Sequence, residues 1–189
     1  MGDEGLDGSR RQKMTRRQTR GAAAKPPASL LRLHRHSLSN LVVLGGSEAQ
    51  RLAAARAFHC ASPARGGPFV ALDCAREEAR LRHALQLWLI SDGAPAARNP
   101  LRECERGTLY LDAVEHLSDE TQRLLLALTR RLEEDRQGAG PASGPLRLAV
   151  GNVEDLAEAV EQRRFSSALY DGLDKIRVRL GRVPWRGAA

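Results

Sequence analysis

Four short segments hold the residues whose types could do chemistry together. They are 45–51, 73–74, 112–115 and 151–152, and each follows a short apolar run. The first brings Gly45, Gly46, Ser47 and Arg51, the third Asp112 and Glu115, and the last Asn152. In open parallel sheets, ligands sit at the carboxyl ends of the strands, where such residues would gather. Other chemistries find no support in the chain. Cys60, Cys74 and Cys104 form no CxxC pair and have no histidines at ligand spacing, so neither a disulfide framework nor a zinc site is expected. His34, His36, His59, His83 and His116 are scattered, and no nucleophile or metal constellation forms around them.

The elements that must position these segments follow from periodicity. Leu41–Leu44 is an apolar run ended by two glycines, which reads as a buried strand. Residues 48–60 and 75–90 read as helices, the second with Leu81, Leu85, Trp88 and Leu89 on one face. Residues 68–72, 108–111 and 146–150 read as further strands. Ser118 is a candidate N-cap, with Asp119 and Glu120 in a first turn where carboxylates suit the helix dipole. Leu124, Leu125, Leu128 and Leu132 stripe the helix that follows, and residues 138–145 read as a loop. A short acidic helix is expected from Val153. Ile176, Val178 and Leu180 alternate with Arg177 and Arg179, the pattern of a half-exposed edge strand. Strands alternating with helices imply an α/β fold with a mostly parallel sheet covered on both faces.

The 189 residues can bury one sizeable core, and no apolar run approaches the length needed to cross a membrane. A soluble, cytoplasmic protein is the expectation. Residues 1–40 carry +6 of the formal net charge of +7, so the rest of the chain is nearly neutral. Residues 1–37 read as a disordered basic tail and 38–189 as the folded domain. Basic residues from Arg10 to Arg35 could contact nucleic acid through phosphate neutralisation, though the tail has no aromatics to stack on bases.

The residues also carry a family likeness. Leu41-Val-Val-Leu-Gly-Gly-Ser47, Ala55-Arg-Ala-Phe-His59, Ser62, Pro68-Phe-Val70 and Cys74-Ala75 follow one another in order. Gly107-Thr-Leu-Tyr-Leu-Asp112, Arg147-Leu-Ala-Val-Gly-Asn152, Arg164-Phe165, Leu169-Tyr170 and Ile176-Arg-Val-Arg-Leu180 continue the series. Together they resemble the sigma-54 interaction domain, a family of AAA+ ATPases that drives promoter opening by the sigma-54 polymerase. Its corresponding blocks read "GESGTGKE", "GTLFLDEI", "RVIAATN" and "RFREDLYYRL". The resemblance covers about residues 38–185 and implies a P-loop NTPase-like AAA+ domain with a five-stranded, mostly parallel sheet.

It also implies losses. A P-loop points backbone N–H groups at phosphates and adds a lysine charge. Here Glu48 and Gln50 stand at two of the family's glycines, Arg51 at the lysine, and Leu52 at the polar residue after it. A carboxylate at Glu48 would oppose a triphosphate, and Arg51 is a planar fork where the family has a point charge. Asp112 remains at the Mg²⁺ position, but the glutamate that activates water is Ala113. Glu115 is expected to point elsewhere. Asn152 keeps the polar sensor position, preceded by Gly151 where the family has Thr. The arginines that reach a neighbour's site in the family's ring align with Ser166 and Gly172. The interval from Leu89 to Pro100 lacks the family's sigma-54-contacting "GAFTGA" motif, and the family's helical lid is not expected to follow the last strand.

Gly45, Gly46, Ser47, Arg51, Asp112 and Asn152 are therefore read as a vestigial nucleotide site, with no metal site and no catalytic residue expected. The expected function is a non-catalytic regulatory or interaction protein of transcription, partnered by an intact AAA+ activator or by itself. The alternatives are an ATP/Mg²⁺-binding switch without hydrolysis and a nucleic-acid-binding accessory factor acting through the tail.

Overall fold

The computed structural model describes residues 37, 39–90, 99–138, 146–173 and 175–181. The expected tail lies outside the described residues except at Ser37, as does most of the 89–100 interval.

Five strands form one parallel sheet in the order β2-β3-β4-β1-β5. They are β1 (Leu41–Leu44), β2 (Phe69–Asp73), β3 (Thr108–Asp112), β4 (Arg147–Asn152) and β5 (Ile176–Arg179). Between β1 and β2 lie helix α1 (Glu48–Cys60) and a 3₁₀ turn, Pro63–Gly66. Helices α2 (Cys74–Ile90) and α3 (Pro100–Glu103) precede β3. A 3₁₀ turn, Val114–His116, and α4 (Asp119–Gly138) lead to β4, and α5 (Leu156–Glu161) and α6 (Ser167–Leu173) lead to β5.

The side-chain alternation of the strands divides the interior into two cores. Val42, Leu44, Leu109, Leu111, Leu148 and Val150 face α2, α4, α5 and α6, where Leu81, Leu85, Leu125, Leu128 and Leu169 are buried. Leu41, Val43, Tyr110, Ala149, Ile176 and Val178 face α1, against Ala54, Ala55 and Phe58. Helices thus cover both faces, as the α/β reading required. Each buried leucine contributes about 1.5–3 kcal/mol of transfer free energy, so the larger core is the main source of stability.

Caps fix the helix starts. Ser47 begins α1 with a capping box, its Oγ accepting from Gln50 N while Gln50 Oε1 accepts from Ser47 N. Ser118 accepts from Thr121 N at 3.4 Å, and Glu78 of α2 accepts from both Ser118 N and Thr121 Oγ1 at 2.8 Å, which fastens α4 to α2. The acidic helix starts at Leu156, three residues later than expected, because Asp155 is its N-cap. The α4 helix also runs on to Gly138, which the sequence assigned to a loop. Among the described residues β5 pairs only with β1, and its burial alternates as an edge strand requires.

Candidate functional site

The sheet order places β1 between β4 and β5, so the chain leaving β1 turns into α1 beside the ends of β4 and β3. Gly45 and Gly46 take φ of +77° and +65°, left-handed values that glycine adopts without steric cost. Gly45 N donates to Asn152 O at 2.9 Å, tying the turn to the end of β4. A Cβ at Gly45 would meet Leu180 O at 2.8 Å, so the turn is also closed by the residue after β5.

α1 lies on the sheet face that carries Tyr110 and Asp112, two residues apart on β3 and so on the same side. This brings Arg51, in the first turns of α1, onto Asp112. Arg51 Nε donates to Asp112 Oδ1 at 2.8 Å and a terminal NH2 donates to Oδ2 at 2.7 Å, a bidentate pair. The other terminal nitrogen donates to Gly46 O at 3.1 Å. Tyr110 Oη donates to Asp112 Oδ1 at 2.7 Å. Arg51 and Asp112 are 4% and 5% exposed, so the pair is sealed from water.

The electrostatics follow from that geometry. Asp112 raises the guanidinium pKa of Arg51 above its ordinary value against the opposing effect of burial. For Asp112, burial pulls the pKa upward, but the bonds from Arg51 and Tyr110 outweigh it and hold the carboxyl below its usual range. Burial and the adjacent carboxylate push the Tyr110 phenol well up, so it stays a donor. Both carboxylate oxygens of Asp112 are engaged by the protein itself.

Ser47 is exposed at the head of α1, its Oγ and N–H committed to Gln50. Asn152 is 2% exposed, and its side chain accepts from Glu115 N at 3.4 Å and donates to Glu154 O at 3.1 Å. Ala113 takes a left-handed backbone, φ 55° and ψ 45°. Ser166 Oγ accepts from Leu169 N at the start of α6. Gly172 O accepts from Asn40 Nδ2 at 2.8 Å, at the far end of the same helix. Glu48 is exposed and makes no part of the closed pair.

Sequence reasoning missed two participants. Tyr110 was seen only as a strand residue, although its i, i+2 spacing from Asp112 was a usable signal. Gly151 pairs with Asp112 across the β3–β4 register, and a Cβ there would sit 2.2 Å from Asp112 Oδ1 and 2.1 Å from Tyr110 Oη. Glu115, expected to point elsewhere, lines a cavity of about 140 Å³ with Asn152 and Arg164. Its Oε2 is buried with no partner, and burial raises its pKa. Among the described residues no group of three metal-ligating side chains forms, and no helix is long and apolar enough to cross a membrane.

Comparison with known proteins places this architecture. A family model described as the sigma-54 interaction domain matches residues 22–179. The acetoin catabolism regulatory protein of Cupriavidus necator is 32% identical over 147 residues, 75% of this chain and 22% of that protein. The C4-dicarboxylate transport transcriptional regulatory protein DctD of Pseudomonas aeruginosa is 29% identical over 157 residues, 79% of this chain and 33% of that protein. The chain therefore spans only a fifth to a third of the length of these curated relatives. Among solved structures, NtrX from Brucella abortus in complex with ADP aligns with a TM-score of 0.60 at 26% identity, over 80% of this chain and 34% of that one. The P-loop NTPase domain of a sigma-54 activator from E. coli aligns with a TM-score of 0.56 at 20% identity, over 82% of this chain and 92% of that one, a likeness of fold alone. With the matched span running from residue 22 to residue 179, the chain belongs to the family of sigma-54 interaction domains.

Proposed function

We propose that this domain neither hydrolyses nor stably binds ATP, and that it serves transcription regulation by binding proteins, an intact AAA+ activator or a second copy of itself. The observation that carries the reading is the buried bidentate pair of Arg51 with Asp112. Those are the side chains aligned with the family's phosphate-binding lysine and Mg²⁺ carboxylate. To meet a nucleotide, Arg51 would have to leave Asp112, and a cation would have to displace both Arg51 and Tyr110 from the carboxylate. Separating a buried pair leaves an uncompensated charge and costs about 3–5 kcal/mol, a penalty of roughly a hundredfold to a few thousandfold in apparent affinity. The capping box at Ser47 adds to this by engaging N–H groups that a phosphate cradle would use. At position 113 the side chain is a methyl, which cannot act as a general base toward water.

The sheet and its core are complete despite these changes, so the surfaces by which family members pack against each other have a framework to stand on. Ser166 and Gly172 offer a neighbouring subunit no guanidinium, and arginine fingers are worth about 10³–10⁵ in rate. A ring that took up this chain would lose turnover at the adjoining site. The test is to titrate the chain into an active sigma-54 activator and follow ATP hydrolysis together with sedimentation. Co-sedimentation with a dose-dependent fall in turnover is the expected result. Unchanged turnover, with the two proteins sedimenting apart and this chain monomeric, would rule the reading out.

A further inference from the structure

Away from the closed pair, the α5–α6 junction packs on α4 and leaves beside it a second, larger cavity that opens to solvent. Its volume is about 340 Å³, and its rim carries Arg123, Arg163 and Arg164 over Val160 and Phe165. All three arginines are exposed. Arg123 and Arg163 have no carboxylate partner among the described residues, and Arg164 Nε and NH2 donate to Gln162 Oε1, a neutral acceptor, at 2.9 and 2.7 Å. The one acidic side chain on the lining is Asp119, so the cavity keeps an excess of two positive charges.

The backbone that presents these arginines is fixed from behind. Gln122 is 3% exposed, and its Nε2 donates to Leu117 O at 2.9 Å and Arg164 O at 3.2 Å, while its Oε1 accepts from Ser166 N at 2.8 Å. α5 ends in a paired closure, with Arg163 N donating to Val160 O and Arg164 N to Ala159 O, both at 2.9 Å. That closure puts its first residue beyond the helix in the left-handed region, where glycine is the favoured residue. Here the residue is Arg163, at φ 57°. A strained backbone position kept by a long charged side chain, on the rim of a cavity with unpaired cations, points to use of that side chain and not to helix termination.

We propose that this cavity is an anion-binding site, and that Arg123, Arg163 and Arg164 together hold a multivalent oxyanion, one bearing at least two phosphate or carboxylate groups. Arginine forks suit both groups, since each presents paired oxygens to a planar donor set. None of Arg51, Tyr110 and Asp112 lines the cavity, so the proposal stands whether or not the cradle binds nucleotide.

The test is calorimetric titration of the whole chain at low ionic strength with pyrophosphate and, separately, with citrate. One saturable site is expected for at least one of them, and the tighter probe names the class of anion. Arg163→Gly and Arg123→Gln should each weaken that binding at least fivefold. Glycine suits the left-handed position, so Arg163→Gly should melt at the same temperature or higher, which separates lost binding from lost folding. Binding of neither probe, or binding that survives both substitutions, would overturn the proposal.

Discussion

Gly151 faces Asp112 across β3 and β4, and only the absence of a side chain at 151 lets Asp112 accept from Arg51 and Tyr110 at once. Four departures from the family pattern, Arg51, Tyr110, Ala113 and Gly151, meet at or beside one carboxylate. Three of them, with Asp112, form a single packed unit drawn from α1, β3 and β4. A position that decayed by itself would leave an orphaned charge, whereas this unit satisfies both oxygens of Asp112.

Gly151→Thr should therefore destabilise the fold, because the new Cβ overlaps both Tyr110 Oη and Asp112 Oδ1. Overpacking of this kind costs about 1–3 kcal/mol. Adding Tyr110→Phe should recover part of the loss by removing the nearest of the clashing atoms, Tyr110 Oη. Urea denaturation midpoints measure both effects, and an unchanged midpoint in Gly151→Thr would show that the unit is looser than the structure has it.

The Arg51–Asp112 pair makes a sharper prediction through a double-mutant cycle. Arg51→Met alone leaves a buried carboxylate without its cation and should cost about 3–5 kcal/mol. Combining it with Asp112→Leu should restore much of that stability, giving a coupling free energy well above about 0.5 kcal/mol. Additive losses would mean the two side chains do not depend on each other.

Much of this was legible in the sequence, and the boundary of what was legible is physical. The span of α1, the Ser118 cap and the edge character of β5 follow from periodicity and capping chemistry within a few residues of chain. The destination of Arg51 does not. Its partner lies 61 residues away, and their meeting depends on α1 crossing the sheet face that carries position 112. Glu48, read as opposing a triphosphate, is exposed in the first turn of α1 and takes no part in the pair. Gly151 read as a missing threonine because only the β3–β4 register shows what a side chain there would strike. Arg163 carried no signal, since its left-handed backbone is set by how α5 ends.

Stability should fall with acid in two separable windows. Burial, with Arg147 and Arg56 nearby, holds the His59 pKa below its ordinary 6.5. A group with a depressed folded pKa stabilises above its unfolded pKa and loses that contribution as pH falls toward the folded one. Urea midpoints should thus decline as pH falls below the ordinary 6.5, and His59→Gln should flatten that decline. The contribution of Asp112 obeys the same sign, is full above 3.8 and is lost only in stronger acid. A midpoint that rises between neutrality and mild acid would contradict the burial of a neutral His59 against Thr108.

Thiol chemistry offers a check on the core. Cys60 is exposed, while Cys74 and Cys104 are buried. Burial pushes the Cys104 thiol up to about 12 and the Cys74 thiol higher still. Native protein should react with one equivalent of a maleimide at Cys60, and the other two thiols should appear only on unfolding. Rapid labelling of all three would mean that α2 and α3 are not packed as described.

The most direct test of the closed cradle is a titration with a fluorescent ATP analogue, with and without Mg²⁺, in the wild type and in Arg51→Ala. If the cradle is closed by its own side chains, neither titration with the wild type reaches saturation at nucleotide concentrations up to about millimolar, as expected when a penalty of about 3–5 kcal/mol opposes binding. Saturable micromolar binding that Arg51→Ala abolishes would mean that Arg51 leaves Asp112 for phosphate and that the cradle is open to nucleotide.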